Sequence, residues 1–258
     1  MNQSIKSDQS FDFIVDKFEK NIYGTTKGKM RQALWNYHLH QSLDLNSTPL
    51  RIFDAGGGTG MMAANLLVQQ PNHQITINDI SIDALEVAKA RLQEYQHVDY
   101  IPGEVQAISD ANGFDLVICH AVLEWLQQPL GLIPHLLSLI KPGGYLSLSF
   151  FNKDAKRFGN ILYGNFDYVH QGMQVKNQVR MNPNNAVTPA EVIDTLQHHN
   201  MTIIRQAGIR CFHDYVRDRS QQISEFDTLL ALEKEYGTQH PYLWLGKYFH
   251  IIAQKPDL

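Results

Sequence analysis

The stretch FDAGGGTGMM, Phe53 to Met62, places four glycines within five residues directly after a short apolar run. Glycine lacks a Cβ, so a ligand can approach such a turn closely, and the helix that follows offers unpaired N–H groups. Neither register of the dinucleotide-binding pattern GxGxxG fits, because Met61 and Thr59 stand where glycine is needed. No GK[ST] follows, which excludes a phosphate-binding P-loop. The turn therefore predicts a ligand of another class.

Short β-branched runs alternate with helical periodicity from residue 50 onward, which predicts a parallel sheet with helices on both faces. The clearest strands are LRIFDA, QITIND, FDLVICH and YLSLSF, and the helices between them are MMAANLLVQQ, SIDALEVAKARLQEY and PLGLIPHLLSLI. Ser81 is expected to cap the second helix, and Thr188 with Glu191 forms a capping box in TPAEVIDTLQHHN. Further strands are predicted in MTIIRQAGIRCF and GKYFHIIAQK, and a helix in SQQISEFDTLLALEKEYG.

Two segments depart from this rhythm. Residues 1–45 are interpreted as an N-terminal helical arm, because Met30, Leu34 and Tyr37 form one helical stripe. The domain itself is expected over residues 46–258. Within it, residues of about 151–187 read as an irregular insertion after the fifth strand, with aromatic side chains and five basic residues. We expect this insertion to be ordered and to face the substrate.

Composition narrows the function class. The 258-residue chain has 43% hydrophobic residues and a net charge of −4. Residues 41–140 hold 3 basic against 11 acidic residues, whereas residues 141–219 hold 10 against 6, which can mark a face for an anionic partner. Cys119 and Cys211 fall in apolar runs and are expected to be buried free thiols. No membrane-spanning run or signal peptide is recognised, so the expected location is cytoplasmic.

Asp54, Gly56, Gly58 and Gly60 have the DxGxGxG spacing seen in the Rossmann-like (class I) S-adenosylmethionine-dependent methyltransferases. Asp79 ends the second strand 25 residues later, where a carboxylate can accept hydrogen bonds from both ribose hydroxyls of an adenosine. The segment GEVQAI follows the third strand and places an apolar and a polar side chain beside the adenine. Pro142 to Gly144 are expected to turn into the fifth strand. These features predict a class I fold, with a seven-stranded, mostly parallel sheet. The residues in question beside the adenine are Val105 and Gln106.

The chain also resembles the bacterial tRNA 5-carboxymethoxyuridine methyltransferases through NIYGTTKGKMR, FDAGGGTG, HAVLEW, KPGGYLSLSF, GNFDYVHQGM and RCFHDYVR. GNFDYV and FHDY are the discriminating blocks, because they lie in the insertion and near its base, where the fold class dictates nothing. The resemblance implies S-adenosylmethionine as cofactor and the tRNA anticodon loop as partner. It implies methylation of the carboxylate of 5-carboxymethoxyuridine at the wobble position, giving the methyl ester.

Transferred to this sequence, the resemblance implies a set of cofactor contacts. Arg31 would hold the methionine carboxylate of the cofactor through a charge-assisted hydrogen bond. His120 would face the sulfonium end, although a core histidine is the default for an isolated HAVLEW. A carboxylate acceptor is already ionised at pH 7, so no general base and no metal are assigned. The expected cofactor-binding residues are Arg31, Gly56, Gly57, Gly58, Asp79, Val105, Gln106 and His120.

The acceptor needs a cation or hydroxyl for its carboxylate and aromatic faces for a splayed-out uridine. Lys153, Lys156 and Arg157 could meet phosphates of the anticodon stem. Two alternatives remain open: a small carboxylic acid as the acceptor, and a non-catalytic protein that binds the cofactor as a sensor. A carboxylated form of the cofactor also fits, because it keeps the methionine carboxylate. The candidate substrate-binding residues are Tyr168, Arg180, Arg210, His213 and Tyr215.

Overall fold

The computed structural model describes residues 24–173 and 185–257, and strands and helices alternate through most of them. The strands are β1 (Arg51–Ala55), β2 (Gln74–Asp79), β3 (Val98–Pro102), β4 (Phe114–His120), β5 (Ile140–Phe151), β6 (Thr202–Ile209) and β7 (Tyr248–Gln254). The helices are α1 (Thr26–His40), α2 (Met61–Gln69), α3 (Ile82–Arg91), α4 (Leu132–Ser138), α5 (Lys153–Leu162), α6 (Phe166–His170), α7 (Pro189–His198), α8 (Gln221–Ser224) and α9 (Phe226–Tyr236). Short 3-10 helices span Val105–Ala107, Leu123–Trp125, Pro129–Gly131, His213–Tyr215 and Tyr242–Leu245.

The seven strands form one sheet in the order β3-β2-β1-β4-β5-β7-β6. All neighbouring pairs are parallel except those of β7, which runs antiparallel to both β5 and β6. Tyr248, at the start of β7, pairs with Phe151 and with Ile209, the last residues of β5 and β6. The carboxyl ends of the parallel strands therefore meet the amino end of β7 at one edge of the sheet. The predicted Rossmann-like architecture is confirmed.

Local capping explains where several helices begin. The Ser81 hydroxyl accepts from the Ala84 N–H at 3.2 Å, and the predicted capping box of Thr188 and Glu191 is present. The insertion departs from expectation, because residues 153–170 are largely helical rather than irregular. Its first helix begins at Asn152, whose side-chain oxygen accepts from the N–H groups of the next two turn residues, and α6 follows after a short turn. The rest of the insertion, residues 174–184, lies outside the described residues.

Other boundaries also differ from the sequence-based expectation. The predicted helix PLGLIPHLLSLI is shortened to α4, preceded by a 3-10 turn at Pro129–Gly131. The helix expected in SQQISEFDTLLALEKEYG is divided into α8 and α9. Residues 142–144 lie within β5 as an irregularity, where the pairing with β4 shifts register and Gly143 has a φ of 72°. The proline and glycines thus bend a strand that already started at Ile140.

Two apolar layers cover the two faces of the sheet. One includes Phe53, Leu136 and Val192, and the other includes Ile52 and residues of α1. Met30, Leu34 and Leu39 of α1 are fully buried, so the described part of the N-terminal arm packs as an integral layer of the domain. Both cysteines are buried free thiols, as predicted. No helix among residues 24–173 and 185–257 is long and apolar enough to cross a membrane.

Three buried histidines meet between α1 and the sheet. His120 and His250 both place Nε2 against the Ser147 hydroxyl, at 2.7 and 2.8 Å, and the His38 ring lies 6.1 Å from that of His250. Burial, followed by the charges of Arg205 and Lys234, lowers the pKa of His38 to about 3. Burial likewise lowers the pKa of His120 to about 3 and that of His250 well below its ordinary value. The folded protein therefore keeps the three rings neutral.

These histidines predict acid sensitivity of the fold. Below pH 6.5 the unfolded chain binds protons that the folded chain refuses, so the free energy of unfolding should fall by about 1.4 kcal/mol per pH unit for each histidine. Both ring nitrogens of His38 lack a partner among the described residues, so His38→Leu should fold at neutral pH and flatten the slope between pH 6 and 4.5 by one such increment. Urea unfolding across this range measures it. His97→Leu, at an exposed position, is the control, and an unchanged slope in His38→Leu contradicts the assignment.

Candidate active site

The glycine turn after β1 lies at the edge of the sheet described above. Gly56, Gly58 and Gly60 have φ values of 66°, 56° and 73°, which favour glycine. A Cβ on Gly56 would also come 2.5 Å from Cγ2 of Val122, whereas the nearest atom to a Cβ on Gly58 would be an Asp79 oxygen at 3.9 Å. Packing therefore requires glycine at position 56. Position 58 has room above its backbone, on the side where a ligand can approach.

Two carboxylates support this turn. Asp79 is half-buried and accepts from the N–H groups of Gly58 at 2.9 Å and Ser81 at 2.8 Å, one on each oxygen. A carboxylate oxygen has two acceptor positions, so Asp79 can accept further hydrogen bonds from a diol. Asp54 is buried, and its Oδ2 has no hydrogen-bond partner within the described part of the chain. Burial and the neighbouring Asp79 raise the pKa of Asp54 to about 7.

Arg31 reaches the same edge from α1. Its guanidinium carbon lies 4.9 Å from the ring of Trp35 and 5.2 Å from that of Tyr248, and its Nη1 donates to the Tyr248 hydroxyl at 3.2 Å. The residue is only 8% exposed. Its Nε lacks a hydrogen-bond partner among the described residues. A buried cation held by aromatic faces and left with an unused donor is suited to bind an anion.

Glu124 and His120 complete this end of the site. The Glu124 side chain is 1% exposed, and its Oε2 accepts weakly from the Phe151 N–H at 3.4 Å. Burial raises the pKa of Glu124 to about 7, while hydrogen bonding and the charge of Arg31 oppose that rise. The His120 ring packs 4.5 Å from Trp35, with Nε2 on Ser147 and no partner for Nδ1 among the residues described. His120 thus has structural contacts at one nitrogen and an unused nitrogen at the other.

A second charged group lies beyond Tyr248, in the segment that follows β6. Arg210 is buried, has a φ of 64°, and places Nε 2.9 Å from Oδ2 of Asp214. Burial opposes ionisation of Asp214, yet His213, Arg210 and Lys27 outweigh it and hold the pKa of this carboxyl well below its usual range. The Arg210 guanidinium carbon lies 5.7 Å from the Tyr248 ring. Tyr248 therefore stands between two arginines.

The remaining predicted site residues are less uniform. Val105 is buried in the core and Gln106 is exposed, both in the 3-10 turn after β3. His213 is fully buried, with Nε2 3.2 Å from the Thr26 hydroxyl, and the Tyr215 hydroxyl donates to the Leu245 carbonyl at 3.0 Å. Tyr168 is half-buried on α6, and Arg180 lies outside the described residues. The structure brings Arg31, Arg210 and His120 close to the Trp35 and Tyr248 rings.

Several residues of this edge were not expected from the sequence. Trp35, Glu124, Lys247 and Tyr248 come from four separate elements and match no motif by themselves. Glu124 lies within the quoted HAVLEW block, and Lys247 with Tyr248 opens the predicted strand GKYFHIIAQK, so position relative to a strand end was the available signal. Contacts to Arg31 identify Trp35 and Tyr248 only in three dimensions.

Comparison with known proteins bears on this site. Residues 53–146 match the family described as "Methyltransferase domain". The tRNA 5-carboxymethoxyuridine methyltransferase of Escherichia coli (strain K12) is 37% identical over 256 residues, covering 97% of each chain. Malonyl-[acyl-carrier protein] O-methyltransferase 2 of Ilyobacter polytropus is 28% identical over 54% of this chain and 55% of its own. Among solved structures, the magnesium protoporphyrin IX methyltransferase of Synechocystis PCC 6803 with bound SAH has a TM-score of 0.64 and 17% identity, covering 95% and 96% of the two chains.

The fold and these matches define an S-adenosylmethionine-dependent methyltransferase of class I. Within that class, the chain belongs to the family of tRNA 5-carboxymethoxyuridine methyltransferases, since identity with the relative from Escherichia coli extends over nearly the whole of both proteins. The sequence-based recognition of class, cofactor and family is confirmed.

The two glycines of the turn predict different costs for the same substitution. Gly58→Ala should lower the free energy of unfolding by about 1 kcal/mol, because only the left-handed backbone is strained. Gly56→Ala should cost a further 1–3 kcal/mol, roughly the cost of overpacking, because its Cβ would collide with Val122. Urea denaturation of the two variants measures the difference. Equal losses would contradict the packing role of Gly56.

Proposed function

We propose that this protein transfers a methyl group from S-adenosylmethionine to the carboxylate of 5-carboxymethoxyuridine at the wobble position of tRNA, forming the methyl ester. The observation that carries the proposal is the 37% identity, over 97% of both chains, with a protein named for that nucleoside. A second observation supports a carboxylate acceptor. Two arginines flank Tyr248, and one of them is free to bind an acceptor if the other binds the cofactor.

The residues around the glycine turn fit the cofactor. The unused Nε of Arg31 suits the methionine carboxylate, and Asp79 suits the ribose hydroxyls. The unpaired Oδ2 of Asp54 offers an acceptor for an ammonium group in the same region. We assign the adenine contacts to Val105 and Gln106, and the sulfonium end to His120. The backbone of Gly56, Gly57 and Gly58 would line the floor of the site.

The chemistry needs orientation more than proton transfer. When bound, S-adenosylmethionine supplies a methyl group to a carboxylate oxygen; the carbon–sulfur bond breaks with its electron pair on sulfur, leaving S-adenosylhomocysteine and a neutral ester. A carboxylate has a pKa near 4, so it arrives already ionised and the protein need not remove a proton. Alignment of the reacting groups can then contribute about 7–11 kcal/mol. Trp35 and Tyr248 form aromatic walls that exclude water from this position.

The acceptor side of the proposal draws on the insertion and the segment after β6. Exposed aromatic rings of α5 and the turn after it, including Phe158, Tyr163 and Phe166, offer faces on which bases of an anticodon loop can stack. Lys153, Lys156 and Arg157 of the same helix are assigned to phosphates. For the modified uridine itself the assigned residues are Tyr168, Arg180, Arg210, His213 and Tyr215.

A small carboxylic acid as acceptor is the second candidate. Its support is the match of half the chain to an O-methyltransferase named for a malonyl group on an acyl carrier protein. In that case the α5–α6 segment would cover a small molecule rather than contact tRNA. The two candidates share the cofactor and differ in whether exposed residues of α5 matter for turnover.

Incubation with tRNA separates the two candidates. Purified protein and S-adenosylmethionine should convert 5-carboxymethoxyuridine to its methyl ester in tRNA from cells lacking this protein, as read by mass spectrometry of the digested nucleosides. Tyr168→Ala should slow this conversion. The absence of a new methyl ester in tRNA, together with turnover of a free carboxylic acid, would replace the first candidate with the second.

Cofactor affinity tests the other half of the site. Arg31→Ala and Asp79→Ala should each weaken S-adenosylmethionine binding by about tenfold or more, because each removes a hydrogen bond to a charged group. Isothermal titration calorimetry measures the affinity. Tyr168→Ala is the matched control and should bind the cofactor as the unaltered protein does. Unchanged affinity in Arg31→Ala, with the fold intact by circular dichroism, would remove Arg31 from the cofactor site.

A further inference from the structure

Three cations surround one carboxylate beside the proposed active site. Lys27 Nζ lies 3.3 Å from Oδ1 of Asp214, and Arg210 Nε lies 2.9 Å from Oδ2. Lys247 is the third cation, and Asp214 and Arg210 both act on it electrostatically. We call these four residues the Asp214 cluster. One carboxylate neutralises one positive charge, so the cluster carries an excess of positive charge.

Lys247 is the member with unused capacity. Its Nζ lies 4.4 Å over the ring of Tyr215, and it forms no ion pair with any residue in the described ranges. Gly159 on α5 leaves room for it, since a Cβ there would come 2.6 Å from Nζ. Burial, together with Arg210 and Lys27, lowers the pKa of Lys247, although Asp214 acts in the opposite direction. An added anion would relieve this mutual repulsion.

The position of the cluster relates it to the cofactor end of the site. The Lys247 N–H donates to the Arg210 carbonyl at 3.4 Å, and Tyr248 is the next residue. The guanidinium carbons of Arg31 and Arg210 lie 5.2 and 5.7 Å from the Tyr248 ring centre, so they are at most 10.9 Å apart. The methyl group and the carboxylate of S-adenosylmethionine belong to one short side chain. Two anion sites at this separation suit transfer of that methyl group to a second carboxylate.

We propose that Lys247 and Arg210, with Lys27 at the rim, form the subsite that binds the acceptor carboxylate, while Tyr248 separates it from the cofactor carboxylate held by Arg31. The proposal rests on the carboxyl methylation proposed above and names the residues that recognise its substrate. Lys247 was absent from the sequence-based set. Its cation–π contact and the space at Gly159 position its ammonium without consuming it in an ion pair.

The subsite also explains how the product leaves. Methylation converts an anion into a neutral ester, so the charge-assisted bonds to Lys247 and Arg210 are lost at the moment of transfer. Asp214 remains as the partner of Arg210 in their absence. A site that holds substrate by charge therefore binds its own product more weakly, and discriminates against uridines without a carboxylate.

Binding of defined tRNAs tests the subsite without turnover. The probes are one tRNA bearing 5-carboxymethoxyuridine at the wobble position and the same tRNA bearing the uncharged 5-methoxyuridine, titrated by fluorescence anisotropy. The unaltered protein should prefer the carboxylate tRNA by about tenfold. Lys247→Met should abolish most of this preference, and Lys247→Arg should retain it. Lys27→Met, at the exposed rim, should reduce it in part.

Controls separate this subsite from folding and from the proposed function. Lys89→Met removes an exposed lysine on α3 and should keep the full preference. Calorimetric binding of S-adenosylmethionine should be normal in Lys247→Met, which verifies the fold. A full preference in that variant, or equal weakening for both tRNAs, overturns the subsite while ester formation by the unaltered protein still supports the reaction. An unaltered protein that binds both tRNAs alike and forms no ester overturns the reaction, and the subsite with it.

Discussion

The buried guanidinium of Arg31 is the constraint on which the geometry of this site depends. Removing a cation from water costs several kcal/mol unless its surroundings compensate. Here the compensation comes from the faces of Trp35 and Tyr248, the Tyr248 hydroxyl and the nearby Glu124 carboxyl. These partners belong to α1, β7 and the 3-10 turn after β4, so one charge ties three elements together. Its unused Nε leaves the arrangement incomplete until an anion arrives.

The antiparallel entry of β7 gives Tyr248 this role. In a wholly parallel sheet, the start of a strand would lie at the opposite edge from the glycine turn. Because β7 runs against β5 and β6, its first residue pairs with the last residues of both, Phe151 and Ile209. Arg210 follows β6 directly and Lys247 precedes β7, so both cations reach the edge without a long connection. The reversal of one strand thus assembles the acceptor side of the site.

Local patterns in the sequence were sufficient for the sheet, the main crossover helices and the glycine turn. FDLVICH and QITIND correspond closely to β4 and β2, because periodicity and strand length are properties of neighbouring residues. The insertion was misjudged, since the polar stretch around Lys153 to Arg157 hides a helix capped by the Asn152 side chain. The role of Tyr248 depends on contacts between residues more than 200 positions apart, as with Arg31. No local pattern encodes such a pairing, so residues of that kind emerged only from the structure.

The uneven charge of the sequence finds a physical explanation in this arrangement. The acidic stretch, residues 41–140, contains Asp54, Asp79 and Glu124, all at the edge where the cofactor is proposed to bind. S-adenosylmethionine carries a sulfonium, an ammonium and a carboxylate, a net positive charge that suits acidic surroundings with Arg31 as the exception. The basic stretch supplies Arg210 and the cations of α5, which suit an anionic acceptor. Methyl transfer joins a cationic donor to an anionic acceptor, and the chain separates the matching charges into two consecutive regions of its sequence.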